Sequence, residues 1–200
     1  MPAVGITGGI ATGKSTFARA LVRHLAAELF DADACARELL ESDAAVRASV
    51  GTAFGAEIVD EHGEFDRVRL RELVFSDARR RRQLEEILHP AIRRLWAAAA
   101  HSSRVAGTWF CADIPLLFET NAEKHFDRVI VVACSSATQR ARLREARALD
   151  EAIIEKMIAA QIDLRVKIEK ADHLIWNDST PATLERQAAL MAGWLRKYHG

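Results

Sequence analysis

The sequence predicts an α/β fold in which a parallel sheet of five strands is covered by helices. Five short runs rich in apolar residues are the predicted strands, at residues 3–7, 29–33, 108–113, 128–133 and 173–177. Two of them, 108–113 and 128–133, are apolar almost throughout, which is typical of strands buried on both faces of a parallel sheet. Segments with helical spacing separate the runs. Because alternating strands and helices favour right-handed crossovers, we expect three layers with the sheet in the middle.

The first strand leads into a glycine-rich loop and then into a helix. Residues 8–16, Gly-Gly-Ile-Ala-Thr-Gly-Lys-Ser-Thr, match the pattern G-x-x-x-x-G-K-[ST], and residues 17–25 have the apolar spacing of an amphipathic helix. In such a loop the backbone N–H groups point at phosphate oxygens, and the helix presents its positive end to the same anion. We expect Lys14 to reach the β- and γ-phosphates and the Ser15 hydroxyl to ligate Mg²⁺. The sequence therefore predicts a nucleotide-phosphate site in a P-loop NTPase fold.

Size and composition indicate a single domain with insertions. The chain has 200 residues, half of them apolar, which is enough for one sizeable core and too few for two full-sized domains. Lys plus Arg and Asp plus Glu both number 28, so no overall field attracts nucleic acid or an anionic membrane. We find no leader-like opening segment and no apolar run as long as a membrane span. We expect a cytoplasmic monomer that binds small molecules, with neither nucleic acid nor membrane as a partner.

The cysteines point away from disulfides and metal ligation. Cys35, Cys111 and Cys134 are odd in number and lack C-x-x-C spacing, and two of them lie in apolar, strand-like runs. We expect buried, reduced thiols.

Helical stretches lie between the predicted strands. Residues 35–104 have helical apolar spacing with no convincing strand, which predicts a helical insertion, and residues 137–170 are also helical. Pro181 suits the first turn of a terminal helix. His89, just before Pro90, is predicted to mark a helix boundary, because the residue before proline avoids the α region. The histidine could contact substrate or cap a helix, and no ligand spacing around it indicates zinc.

Carboxylates follow two of the predicted strands. Asp33 ends the strand 29–33, which we expect to neighbour the phosphate-loop strand, and a carboxylate there can take the proton of an attacking hydroxyl. Asp31 should point to the opposite face of that strand. The alternative is that Asp31 or Asp33 caps the helix that follows. Asp113 ends the third strand and is predicted to hold the water shell of Mg²⁺.

Arginines recur in the segment 137–170. Arg140, Arg144 and Arg147 fall at i, i+4 and i+7 and form one stripe on a helix, with Arg142 on a different face. Such a stripe can clamp phosphates, because guanidinium groups match phosphate oxygens. The alternative is a solvated helix face whose arginines pair with acids such as Glu145 and Asp150.

The order of several short motifs resembles the dephospho-CoA kinase family, whose members phosphorylate the ribose 3′-hydroxyl of dephospho-CoA with ATP. The resemblance runs nearly end to end and rests on matches at residues 5–10, 13–16, 31–33, 36–37, 66–67, 74–75, 88–90, 115–117, 119, 139, 142, 159–161, 167, 171–172 and 177. The phosphate loop alone is shared by a very large superfamily. The motifs Asp-Ala-Asp, Leu-His-Pro and Pro-Leu-Leu, in this order, are specific.

The resemblance implies ATP and dephospho-CoA as substrates and Mg²⁺ as cofactor, with Asp33 as base and Lys14 on the transferred phosphate. The implied ATP-binding residues are Gly9, Ala11, Thr12, Gly13, Lys14, Ser15, Thr16, Arg142, Arg144 and Asn177. The implied acceptor-binding residues are Asp33, Arg37, His89, Pro115, Leu116, Leu117 and Glu119. Residues 1–34, 105–136 and 171–200 would then form the core, 35–104 an acceptor-binding insertion, and 137–170 a lid over ATP.

Three positions depart from the family pattern. The family has glycine where this chain has Ala11, which is compatible with a negative φ and strained at a positive one. The family has arginines where this chain has Ala146 and Met157. Arg144 or Arg147 could substitute for the first of these lid arginines.

Other functions are compatible with parts of the sequence. A different small-molecule kinase of the same architecture would use the loop and Asp33 equally well. A GTP-dependent switch would explain the D-x-x-G string at residues 60–63, but no N-K-x-D motif follows it. A nucleic-acid-dependent ATPase is disfavoured by the balanced charge.

Overall fold

The computed structural model describes residues 1–59, 65–147 and 150–199. A parallel sheet of five strands forms its centre, in the order β2-β3-β1-β4-β5. The strands are β1 Ala3–Gly8, β2 Glu28–Asp31, β3 Phe110–Asp113, β4 Arg128–Ala133 and β5 His173–Trp176. The predicted α/β fold with five parallel strands is confirmed.

Helices connect the strands and make up most of the remaining chain. They are α1 Lys14–Leu25, α2 Ala32–Ser42, α3 Ala44–Phe54, α4 Arg67–Ser76, α5 Ala78–Ala106, α6 Ser136–Arg147, α7 Glu151–Ala159, α8 Leu164–Glu169 and α9 Pro181–His199. Short 3₁₀ turns lie at Gly55–Ile58 and Glu123–His125. As expected, Pro181 is the first residue of α9, where its missing N–H costs no helical hydrogen bond. In the described ranges no helix is both long enough and apolar enough to cross a membrane.

The chain forms two compact units, Met1–Ala32 with Ala98–Gly200 and Asp33–Ala97. In the first unit α1 and α9 pack on one face of the sheet, where Phe17, Leu21 and Leu195 are fully buried. Gly5 lies on the opposite face, beneath the side chains of Leu117 and Phe126.

The second unit, Asp33–Ala97, is helical and has an apolar core of its own. Its buried side chains come from successive helices and the first 3₁₀ turn: Leu39, Val46, Val50, Phe54, Ile58, Leu70, Leu88 and Ala91. The D-x-x-G string at 60–63 lies outside the described residues.

Two expectations about the second strand were wrong. β2 ends at Asp31 and α2 begins at Ala32, so Asp33 lies in the first helical turn rather than at a strand end. β2 also does not neighbour β1, because β3 lies between them and pairs with both. At the carboxyl edge Asp31 is therefore in register with Asp113, which is in turn in register with Ile6 of β1. The expectation that Asp31 and Asp33 point to opposite faces of one strand was therefore wrong as well, because only Asp31 belongs to β2.

The predicted helix boundary at His89-Pro90 was also wrong. α5 continues through Pro90 without a break. Proline removes one helical hydrogen bond and crowds the carbonyl of Glu86, which normally ends or kinks a helix. Here the flanking residues Leu88 and Ala91 are both buried in the core of the second unit. Packing on both sides of Pro90 therefore stabilises the helix through it.

All three cysteines are reduced thiols, and Cys111 and Cys134 are buried as expected. Burial raises the pKa of the Cys111 thiol to about 12. Burial also raises the pKa of the Cys134 thiol, and the positive charge of the nearby Arg142 guanidinium opposes this rise. Cys35 is half-buried.

Candidate active site

The loop between β1 and α1 has a tightly constrained backbone. Gly13 has φ 89°, and a Cβ atom at this position would collide with the Asn177 side-chain amide. A Cβ atom on Gly8 would collide with the Val132 carbonyl of the neighbouring strand. Neither position has room for a side chain, because neighbouring atoms approach the backbone too closely. Gly13 also has a left-handed conformation that favours glycine.

Lys14 and Asp113 form a buried ion pair at the carboxyl edge of the sheet. The Lys14 ammonium donates to Asp113 Oδ1, and the two side chains are only 10% and 2% exposed. Lys14 begins α1 and Asp113 ends β3, so the fold brings the two charges together from positions far apart in the chain. The lysine of the motif thus lies at the edge where ligands of open α/β sheets bind.

The N-terminus of α1 is not capped by the side chain of its own N-cap residue. The N-cap residue Gly13 offers no capping side chain, and the first turn contains no acidic residue. Ser15 is half-buried and Thr16 is exposed in this turn. The first-turn amides and the positive end of the helix dipole therefore suit an anionic ligand.

Four side chains from distant segments hold the loop backbone at Ile10, Ala11 and Thr12. Gln139 Nε2 donates to the Ile10 carbonyl at 2.7 Å, and Gln161 Oε1 accepts from the Ile10 N–H at 3.0 Å. The other two contacts are Arg142 Nη1 to the Ala11 carbonyl at 3.3 Å and Asn177 Nδ2 to the Thr12 carbonyl at 2.8 Å. Because these groups bind the loop's polar backbone from outside, they fix its conformation.

Arg142 connects three segments of the first unit. Besides the Ala11 carbonyl, its guanidinium binds the carbonyl of Asn177 at 2.9 Å, directly after β5. The predicted ATP-binding residues Arg142 and Asn177 therefore both lie against the phosphate loop. Sequence reasoning gave Gln139 and Gln161 no role, although the family resemblance matched both positions.

Ala11 adopts a left-handed backbone conformation, with φ 59°. This conformation costs an alanine roughly 1–2 kcal/mol, whereas glycine adopts it freely. The sequence left open whether φ at Ala11 is negative or positive. Its φ is positive, so the replacement of the family's glycine by alanine strains the backbone here.

The arginine stripe on α6 is paired with acids of α7. Arg140 contacts Glu155 and Glu151, and Arg144 donates to Glu151 Oε2 at 2.8 Å on the exposed side of the helix. Arg140 and Arg144 thus pair with acids on a solvated helix face, which was the alternative to clamping phosphates. Their partners are Glu151 and Glu155 rather than the expected Glu145 and Asp150. A contact between Arg144 and ATP stays a prediction, and the side chain of Arg147 is outside the described part.

A fully buried lysine, Lys167 of α8, lies beneath the phosphate loop. Its ammonium contacts Glu119 Oε1 at 2.8 Å, the Pro115 carbonyl at 2.9 Å and the Gly8 carbonyl at 3.4 Å. The same Glu119 oxygen accepts from the Ile162 N–H at 3.0 Å. Sequence reasoning gave this lysine no role. The family resemblance did match its position.

The predicted acceptor-binding residues are divided between the two units. Asp33 and Arg37 are exposed on α2, and His89 is half-buried on α5, where burial lowers its pKa against the opposing effect of Glu85. In the first unit Pro115 and Leu116 are half-buried, as is Glu119. Leu117 is fully buried against Gly5.

The oxygen donors at the sheet edge fit a magnesium ion. Ser15 supplies a hydroxyl beside the loop, and Asp113 and Asp31 end adjacent strands. Hydroxyl and carboxylate oxygens are the ligands that Mg²⁺ takes, usually with several waters retained. Within residues 1–59, 65–147 and 150–199, no group of three or more His, Cys, Asp or Glu side chains is placed to hold a metal ion.

A parallel sheet whose first strand runs through a glycine-rich loop into a helix, with a buried loop lysine at the sheet edge, places this protein in the class of phosphate-loop nucleotide-binding proteins. The family model described as "Dephospho-CoA kinase" matches residues 2–183. The chain therefore belongs to the dephospho-CoA kinase family.

Individual relatives agree with this assignment. The chain is 38% identical over 203 residues to a dephospho-CoA kinase of Anaeromyxobacter dehalogenans, covering 100% of this chain and 95% of the relative. A solved dephospho-CoA kinase from Campylobacter jejuni superposes with a TM-score of 0.71 at 26% identity, covering 98% of this chain and 97% of the other. A shikimate kinase from Acinetobacter baumannii shares the fold, with a TM-score of 0.57 at 15% identity over 100% of this chain and 96% of the other.

Proposed function

We propose that this kinase transfers the γ-phosphoryl group of ATP to the ribose 3′-hydroxyl of dephospho-CoA, giving coenzyme A and ADP. Membership of the family supports the choice of substrates. The single structural observation that supports phosphoryl transfer most directly is the Lys14–Asp113 pair beside the constrained loop. It places a cation at the sheet edge where the outer phosphates of ATP would lie.

ATP binding would use the loop backbone and the start of α1. The proposed contacts are the backbone N–H groups of Gly9, Ala11, Thr12, Gly13, Lys14, Ser15 and Thr16 and the Lys14 ammonium. Charge on a transferring phosphoryl group is spread over its equatorial oxygens, so fixed N–H dipoles and a lysine stabilise it without reorganisation. Arg142 and Asn177 support this loop from outside, and we keep Arg144 as a further proposed ATP contact that would have to leave Glu151.

Asp33 is the proposed base for the acceptor hydroxyl. It is exposed in the first turn of α2, where its carboxylate can accept a proton as the hydroxyl oxygen attacks phosphorus. Asp31 is the neighbouring carboxylate at the end of β2, in register with Asp113. Its position suits the water shell of a metal ion better than proton transfer from the acceptor.

Mg²⁺ would be held by the Ser15 hydroxyl, with Asp113 acting through water. When bound, this ion neutralises charge on the β- and γ-phosphates. The protein's own part is to hold Ser15 in the first turn of α1 and Asp113 at the end of β3.

The proposed acceptor-binding residues are those that the family resemblance implies. We propose that Arg37 and His89 of the helical unit, together with Pro115, Leu116 and Glu119, contact dephospho-CoA. Leu117 shapes this region by packing under β1. We also propose that residues 35–104 serve as the acceptor-binding insertion and residues 137–170 as the lid.

The test is a panel of donors and acceptors. We expect ATP to exceed GTP as donor and dephospho-CoA to exceed AMP and adenosine as acceptor in kcat/KM. A preference for AMP or adenosine would favour another small-molecule kinase, and a preference for GTP without any acceptor would favour a switch protein.

We further propose a cytoplasmic monomer without nucleic-acid or membrane partners, and light scattering of the purified chain tests its oligomeric state.

A further inference from the structure

We infer that Lys167 and Glu119 form a positioning pair that holds the start of the phosphate loop and the 115–119 segment in the geometry required for phosphoryl transfer. This inference rests on the proposed function and adds a role for two residues that do not themselves react. Its starting observation is a lysine that is 0% exposed in a kinase whose motif lysine is a different residue.

The Lys167 ammonium joins three separate segments of the first unit. An ammonium has three N–H donors, and the three acceptors here are the carbonyl that ends β1, the carbonyl of Pro115 after β3, and the Glu119 carboxylate. The first of these, Gly8, is also the first residue of the phosphate loop. One cation therefore ties the loop's origin to the 115–119 segment.

Pro115 is held from two sides. Its carbonyl accepts from Lys167 of α8 and also from the Thr7 hydroxyl of β1 at 3.1 Å. Thr7 is fully buried and immediately precedes Gly8. The 115–119 segment is thus fixed to the residues that lead into the phosphate loop, and not only to its own strand.

Glu119 extends the connection to the segment after α7. Its Oε1 accepts from the Ile162 N–H, and the preceding residue, Gln161, binds the Ile10 N–H in the phosphate loop. The contacts therefore form a closed circuit from Ile10 through Gln161 and Glu119 to Lys167 and back to Gly8. A displacement of either loop would break at least one of these hydrogen bonds.

Stability alone does not account for a buried ion pair at this place. Burying an ammonium and a carboxylate is costly, and apolar residues of similar volume are often as stabilising or more so. What an apolar pair cannot do is bind two carbonyls and a backbone N–H in fixed directions. The chemistry of this pair therefore fits a positioning role, in which misplacement of the reacting groups by about 1 Å lowers turnover by about 10²-fold.

The test compares Lys167→Met, Glu119→Gln and the double variant with the parent chain. Lys167→Met alone leaves the half-buried Glu119 carboxylate without its cation, so a loss of stability is expected there. The double variant removes both charges, and we expect its Tm to return to within about 5 °C of the parent. We expect its kcat for dephospho-CoA to stay about 10²-fold lower, with KM for ATP within about threefold, because the loop binds but is misplaced. Lys197→Met, on the exposed side of α9, is the matched control.

A second readout does not depend on the acceptor. We expect hydrogen exchange of the double variant to be faster in residues 8–13 and 115–122, with the rest of the described sheet unchanged. A double variant with parental kcat, or one whose kcat loss follows only its loss of folded protein, would overturn the inference. Unchanged exchange in both segments would overturn it as well, even if the parent chain failed to phosphorylate dephospho-CoA and the proposed function were wrong.

Discussion

Lys14 and Asp113 are bound to each other in a buried ion pair at the carboxyl edge of the sheet. The pair links the helix that follows the phosphate loop to the end of the third strand. It keeps an ammonium group fixed at the loop by a carboxylate that the solvent scarcely reaches. This relationship carries the proposed chemistry.

Lys14→Met should impair stability, ATP binding and turnover together. The substitution leaves the Asp113 carboxylate buried without its partner, which typically costs about 3–5 kcal/mol. It also removes the cation that stabilises the transferring phosphoryl group, so we expect kcat/KM to fall by about 10²-fold or more. Urea unfolding, ATP titration and steady-state kinetics measure stability, ATP binding and kcat/KM, respectively. Lys197→Met, on the exposed side of α9, should leave stability, ATP binding and turnover unchanged. A Lys14→Met variant with parental kcat/KM would contradict the role of this lysine.

Asp33→Asn should lower turnover while leaving ATP binding nearly intact. The amide cannot take the proton of the acceptor hydroxyl, so we expect kcat to fall by about 10²-fold or more. Steady-state kinetics with dephospho-CoA and a direct ATP titration separate the two quantities. Asp31→Asn is the comparison: we expect it to alter the dependence of rate on Mg²⁺ concentration. If Asp33→Asn turns over like the parent chain, the base is a different group.

Ala11→Gly should stabilise the protein. At φ 59° the alanine is strained by roughly 1–2 kcal/mol, and the greater freedom of glycine in the unfolded chain offsets part of the gain, so we expect about 0.5–1 kcal/mol in urea unfolding. Ala26→Gly, at φ 54° at the end of α1, is the matched control and should give a similar gain. A destabilised Ala11→Gly variant would show that the methyl group makes a compensating contact.

His89 should contribute to the pH dependence of stability. Burial lowers its pKa below the ordinary value of 6.5, so below that value the unfolded chain binds more protons than the folded one. The stability of the folded state therefore falls as pH drops from about 6.5 through the lowered pKa of the folded protein. We expect His89→Gln to flatten the unfolding free energy over this range. His101→Gln, on the exposed side of α5, serves as the control for the substitution.

The sequence predicted the strands and the phosphate loop well, because both depend on local patterns. The apolar runs of β3 and β4 and the spacing from Gly8 to Ser15 need no knowledge of distant residues. The end of β2 was missed because an alternating pattern does not reveal where a strand gives way to a helix. Pro90 was misinterpreted because its cost is local, whereas the packing of Leu88 and Ala91 that offsets it is tertiary.

The support of the candidate site was the part least accessible to sequence reasoning. Lys167 is buried because Gly8, Pro115 and Glu119 meet it from distant parts of the chain. Gln139 and Gln161 likewise bind Ile10 across more than a hundred residues. A motif identifies the groups that face a ligand, but the groups that hold the motif in place emerge only from the fold.

The most direct measurement is transfer of labelled γ-phosphate from ATP by the parent chain, with dephospho-CoA and its 3′-deoxy analogue as acceptors in parallel. We expect label to appear on dephospho-CoA at the 3′ position and none on the analogue, which lacks the attacking hydroxyl. Equal labelling of both acceptors, or labelling of neither, would contradict the proposed reaction.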